Sequence, residues 1–181
     1  VDLRCVNRKG LVTFDRKMRK DPFYFYRANW SAEPVTHIVG RRYADRAYAT
    51  TDVKVYSNAD AVALLVNGAP AGTLTSSECP FRTCVFRNVA LGPGRNVVVA
   101  RGTGGVAASS DEVEWTAPRG TEVNIAAGQL ATGLQGDVIR RLRAYPGSTA
   151  AYVESLTTGA GAAWNARATF PAASTLKLAI A

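Results

Sequence analysis

The chain has 181 residues, 47% of them hydrophobic and 20% charged, with a formal net charge of +8. That balance is globular and excludes a disordered or collagen-like polypeptide. It contains no run of about 18 apolar residues, so no membrane-spanning helix is expected, and its length allows one domain or two small ones.

The positive excess is uneven. Residues 1–20 hold Arg4, Arg8, Lys9, Arg16, Lys17, Arg19 and Lys20 against Asp2 and Asp15. A basic cluster can be a nucleic-acid footprint. The base-stacking motifs that would accompany it are missing, so a solvated loop and helix start is expected, with no nucleic-acid partner. The opening "VDLRCVNRKG" has no initiator methionine and no basic-then-apolar leader, which reads as a piece of a longer protein.

Taken in chain order, residues 1–28 predict a loop and then a helix. In "RKMRKDPFYFYRANW", Pro22 suits a first helical turn, and the series Phe23, Tyr24, Tyr26 and Trp30 is expected to pack as core rather than form a sugar platform, with Trp30 at the junction open to either. From Val35 the pattern turns to strands: "VTHIV", then "TDVKVYS", where Val53 and Val55 alternate with polar neighbours. "AVALLVNGAPAGTL" places Val62, Leu64 and Val66 on one face before the hairpin signal Asn67-Gly68. "CVFRNVAL", "NVVVARG" and "DEVEW" complete a set of short strands at sandwich spacing.

Within that set, Cys79 and Cys84 of "CPFRTC" are close enough to bridge across a turn in an oxidising compartment, while Cys5 is left over. No metal-ligand spacing or cofactor motif is present, and "RGTGG" lacks the following helix a phosphate loop needs. His37, the single histidine, lies in an apolar strand and is expected to be a satisfied structural residue. Neither compartment nor oligomeric state is legible.

After Pro118 the texture becomes small and Gly-rich, a linker over 118–136. "DVIRRLRAY" predicts an amphipathic helix with Val138, Ile139 and Leu142 inward, stopped by Pro146-Gly147. "YVESLTTG" and "WNARATF" then read as two strands about a Gly-containing turn. "STLKLAIA" begins a further apolar helix, with Ser174 as its cap.

The string "NRKGLVTFDRKMRKDPFYFYRANWSAEPVTHI" strongly resembles glycoside hydrolase family 2, the β-galactosidase and β-glucuronidase group, and the resemblance covers about residues 1–130. It implies that residues 1–30 end a (β/α)8 barrel with its closing helix, and that 31–117 form an immunoglobulin-like antiparallel β-sandwich. It also implies that Asn7 and Lys9 lie on a loop lining the sugar site, the amide for a hydroxyl and the ammonium for a uronate carboxylate; a purely structural loop is the alternative. The glutamate pair of the retaining mechanism belongs to barrel strands upstream. Glu33, Glu78, Glu112, Glu114, Glu122 and Glu154 match no catalytic context.

Ser174 and Lys177 form an S-x-x-K pair. On a helix these side chains share a face, so the amine can reach the hydroxyl. Free N–H groups at the helix start can hold an oxyanion, and a buried lysine can take the serine's proton. A chance match of this motif is expected on the order of once in such a chain, and a capping serine with a surface lysine is the alternative. The run 137–181, ending "FPAASTLKLAIA", looks like the opening of a class A β-lactamase or related penicillin-binding serine hydrolase. That resemblance makes Ser174 the nucleophile and Lys177 its catalytic partner, with Phe170 and Pro171 on the approach.

The expected molecule is therefore mainly β: an immunoglobulin-like sandwich, preceded by a barrel's closing helix and followed by an incomplete α/β serine-hydrolase segment. Three functions are carried forward: a family 2 glycosidase fragment acting on carbohydrate, an acyl-transfer enzyme directed at a β-lactam or a peptidoglycan peptide, and a non-catalytic carbohydrate- or protein-binding sandwich. No cofactor, nucleic-acid or membrane partner is expected.

Overall fold

Pro22 in the first turn starts helix α1, Asp21–Trp30, and Asp21 places a negative charge where the helix dipole favours it. The structure, a computed structural model, describes residues 10–105, 107–117, 129–145 and 149–166. Seven strands follow α1: β1 Thr36–Ile38, β2 Thr50–Ser57, β3 Ala61–Val66, β4 Ala69–Thr75, β5 Thr83–Ala90, β6 Gly94–Thr103 and β7 Ser109–Ala117. They form two sheets, ordered β1-β2-β5 and β4-β3-β6-β7. Helix α2, Thr132–Arg143, and the antiparallel pair β8 Ala151–Glu154 and β9 Gly161–Trp164 complete the described elements. Contacts divide the chain into two units. The first is Val1–Arg42, Thr50–Ala90 and Asn96–Glu114, and the second is Tyr43–Ala49, Leu91–Arg95 and Trp115–Ala181.

In the first unit, alternation decides which side chains enter the core. Val53 and Val55 of β2, Val62 and Leu64 of β3, and Val98 and Ala100 of β6 are buried, while the residues between them face out. The Asn67-Gly68 signal is borne out: β3 and β4 pair antiparallel, and both turn residues have positive φ, 52° and 82°. Asn67 also pins the turn to β6, its N–H donating to the Val97 carbonyl at 2.8 Å while its side-chain oxygen accepts from the Val97 N–H at 2.8 Å. β4 is an edge strand exposed almost throughout, carrying Pro70 and a register shift opposite Leu64 and Leu65.

Side chains, rather than a backbone ladder, join β1 to β7. Thr36 and Ser109 share a hydroxyl hydrogen bond of 2.7 Å, and two residues along the Ile38 N–H donates to the Asp111 carboxylate at 2.7 Å. The bridge that the spacing of "CPFRTC" permits is present as a Cys79–Cys84 disulfide.

Three expectations need correction. The aromatic series of α1 is not all core: Tyr26 is 37% exposed, and Trp30, open to either reading from the sequence, is 79% exposed. Consecutive aromatics point all round a helix, so one side alone can be buried. Tyr24 stacks on His37 and Phe25 meets Tyr56 edge-on, whereas Tyr26 and Trp30, one turn apart, lean on each other outside. In the second unit α2 begins at Thr132, five residues before "DVIRRLRAY", so its first turn lies in the stretch read as linker. The second strand described is Gly161–Trp164, which starts three residues before "WNARATF", and residues 167–170 of that string lie outside the described residues. Small residues give no period-2 signal, yet all four of its residues are buried.

Candidate functional site

The sequence-predicted site residues Asn7, Lys9, Ser174 and Lys177 all lie outside the described residues, as does Cys5. What the described residues show is the framework on either side, and one polar centre in each unit.

In the first unit that centre is His37. Its imidazole is buried, stacked on Tyr24 with ring centroids 3.7 Å apart and planes within 8°. Nε2 lies 2.9 Å from Asp21 Oδ1, and Nδ1 faces Asp111 Oδ2 at 3.7 Å. The other Asp21 oxygen accepts from the Gly40 N–H at 2.9 Å. Asp111 also accepts from the Arg41 guanidinium at 2.6 Å. The His37 hydrogen bond is the main cause that holds the Asp21 carboxyl below its ordinary range; burial opposes it, and the Gly40 N–H and the charges of His37 and Arg42 add to it. Arg41 is raised above its ordinary value, chiefly by its hydrogen bond to Asp111. The hydrogen bonds that Asp21 shares with His37 and accepts from Gly40, and those that Asp111 accepts from Ile38 and Arg41, with the ring stacked on Tyr24, anchor α1, β1 and β7 to one another. The structural reading of His37 is thus the one its surroundings support.

Two of the described glutamates are occupied structurally. Glu33 pairs with Arg27 at 2.6 Å, and Glu78 accepts from the Thr75 N–H at 2.9 Å at the start of a short 3-10 turn. That N–H, with the Thr75 hydroxyl, holds the Glu78 carboxyl below its ordinary range. A groove of about 330 Å³ beside the ends of β6 and β7 is lined by Arg101, Gly102, Thr103, Ala108, Ser109 and Ser110. It contains no acid and none of the predicted site residues. Among the described residues, no group of three or more His, Cys, Asp or Glu is placed to hold a metal ion.

In the second unit, Gln135 of α2 does for β9 what a neighbouring strand would do. Its amide donates to the Ala163 carbonyl at 2.7 Å and accepts from the Ala163 N–H at 2.8 Å, all of it buried. On the chain between them, Arg143 lies over the Trp164 ring at 5.2 Å. Elsewhere in this unit the Arg46 guanidinium sits 3.5 Å above the Trp115 ring, and burial pulls its pKa down to about 10. Sequence reasoning missed Gln135, although its spacing to Val138, Ile139 and Leu142 puts it on the inward face of the helix.

Comparison with known proteins gives matches on two separate stretches. Residues 49–109 match the family model described as a domain of unknown function, DUF4982. Residues 134–181 match the β-lactamase enzyme family. A β-glucuronidase of Bacteroides fragilis is 39% identical over 94 residues, 51% of this chain and 13% of that protein. The crystal structure of an FMN-binding β-glucuronidase from Facaelibacterium prausnitzii L2-6 is 46% identical, with a TM-score of 0.55 over 63% of this chain and 16% of that one. That of a β-galactosidase, described as putative, from Bacteroides fragilis is 39% identical, with a TM-score of 0.56 over 62% and 16%. The first half of this chain is similar to family 2 glycosidases. The chain spans between 13% and 16% of the length of these three relatives. The resemblances read from "NRKGLVTFDRKMRKDPFYFYRANW" and "FPAASTLKLAIA" are both supported, each on its own stretch.

Proposed function

We propose that this chain carries the end of a retaining family 2 glycosidase and its accessory sandwich, joined to the opening of a β-lactamase-like serine hydrolase. The observation that carries the reading is the pair of unrelated matches on separate stretches, 49–109 and 134–181. For the glycosidase part the substrate class is a β-glucuronide, since two of the relatives are β-glucuronidases. Asn7 then binds a sugar hydroxyl and Lys9 pairs with the uronate carboxylate. Bond cleavage needs two glutamates supplied by barrel strands.

For the hydrolase part, Lys177 takes the Ser174 proton and Ser174 Oγ attacks the carbonyl of a β-lactam or a peptidoglycan peptide. The C–N bond breaks as Lys177 passes that proton to the leaving nitrogen, and an ester to Ser174 remains. N–H groups at the helix start stabilise the oxyanion.

Purified alone, the 181-residue chain is expected to hydrolyse neither aryl β-glucuronides and β-galactosides nor a chromogenic cephalosporin. Turnover of either that co-purifies with the protein would falsify this assignment of the missing groups. In a version extended by a complete hydrolase domain, Ser174→Ala is expected to abolish covalent labelling by a fluorescent penicillin. Undiminished labelling would make the S-x-x-K pair a helix cap.

A further inference from the structure

The turn closed by Cys79 and Cys84 combines three features of the first unit. Both cysteines are buried, 4% and 1% exposed, and Cys84 lies in β5 opposite Val55 of β2. Between them Phe81 and Arg82 are successive non-glycine residues in the left-handed region, with φ of 52° and 57°. Single residues visit that region at a cost, and side-by-side residues with a β-carbon do so only where something else fixes the backbone. The tip is also docked: the Phe81 carbonyl accepts from the Asn29 side-chain amide of α1 at 3.0 Å and from the Thr83 hydroxyl at 3.2 Å. The Phe81 ring is 80% exposed, so its own burial does not hold the turn.

We propose that the Cys79–Cys84 disulfide is a redox-operated latch: it holds the Phe81–Arg82 tip left-handed against Asn29 of α1, and reduction releases the tip while the sandwich stays folded. The reductant is a dithiol. The S–S bond breaks, each cysteine sulfur gains one electron and one proton, and the dithiol closes to its own disulfide. Because both sulfurs are buried, exchange waits on local opening of the turn, so the latch answers sustained rather than momentary reducing conditions. Once the ring is open, Phe81 and Arg82 relax to ordinary backbone angles and the Asn29 contact is lost.

The test uses the whole chain, folded in air and then treated with a cyclising dithiol. Intact mass of the air-folded protein should be lighter by two hydrogens than that of the reduced one. Chymotryptic cleavage after Phe81 should rise at least about tenfold on reduction, because a protease needs extended backbone that the closed turn denies. Cys79→Ser with Cys84→Ser should cleave at the reduced rate under both conditions. Should that double variant not fold, reduction of the native protein still decides. Arg82→Gly, which tolerates the left-handed region without cost, should shrink the difference between oxidised and reduced forms, and the Asn29 side-chain amide resonances should shift less on reduction. Equal cleavage in both redox states, free thiols at Cys79 and Cys84 after folding in air (Cys5 carries a thiol in either case), or an Arg82→Gly response as large as that of the parent would each overturn the latch. Cleavage spreading into β2 and β5 on reduction would also overturn it, by showing that the bond holds up the sheet.

Discussion

The Asp21 carboxylate receives the His37 ring on one oxygen and the Gly40 N–H on the other, which places its effect on stability at acid pH. Its folded-state pKa is lowered, so the stabilisation it brings is fully present above the ordinary carboxylate value of about 4. It is lost as the pH falls through the lower folded value. Asp21→Asn should therefore cost about 1 kcal/mol at pH 7, discounted for the partial exposure of the side chain. The two proteins should converge in thermal midpoint as the buffer is taken below about pH 3; a gap that persists in acid would contradict the charge argument. Much of this was closed to sequence reasoning. That His37 would be satisfied follows from its apolar strand, but its partners lie 16 residues away at Asp21 and on β7 at Asp111. Nothing local in "DPFYF" or "SSDEVEW" marks either carboxylate as its partner.

At the scale of elements, legibility followed periodicity. The sandwich strands announce themselves because Val53 and Val55, or Val62 and Leu64, alternate with outward residues, and Asn67-Gly68 supplies the backbone angles a two-residue turn requires. The α2 and β9 pair hid because its pattern is polar and small: a buried glutamine facing four small or aromatic residues that share no alternation. Gln135 closes both hydrogen-bonding groups of Ala163, whose environment excludes water. Gln135→Ala leaves a buried N–H and a buried C=O unpaired, which should destabilise the second unit by about 2–4 kcal/mol. Urea unfolding followed by Trp164 fluorescence reads that loss. Gln135→Glu should fall between the two, since a carboxylate can accept from the N–H but cannot donate to the carbonyl.

For the whole molecule, the two matches fall on separate stretches, 49–109 and 134–181, which makes separate folding a testable expectation. A chain ending at residue 131 should keep the amide dispersion of β2 to β6 and the Cys79–Cys84 bond, because all of these residues lie outside the 134–181 match. Collapse of that spectrum on truncation would mean that the two parts are a single folding unit. The similarity to proteins of which this chain spans 13% to 16% explains why catalytic chemistry was readable only as motif fragments. A glycosidase's carboxylates and a serine hydrolase's later motifs are brought together by tertiary folding of longer chains, so a local string can name the family without containing the machinery.

The bare rim of the larger sheet has a practical outcome for anyone handling this protein. β4 offers its backbone to solvent, but Pro70 withholds a donor and the slip opposite Leu64 and Leu65 breaks the spacing an incoming chain would need to copy. Concentrated samples should resist fibril growth along that border, and replacing Pro70 with valine would restore the missing donor and invite it.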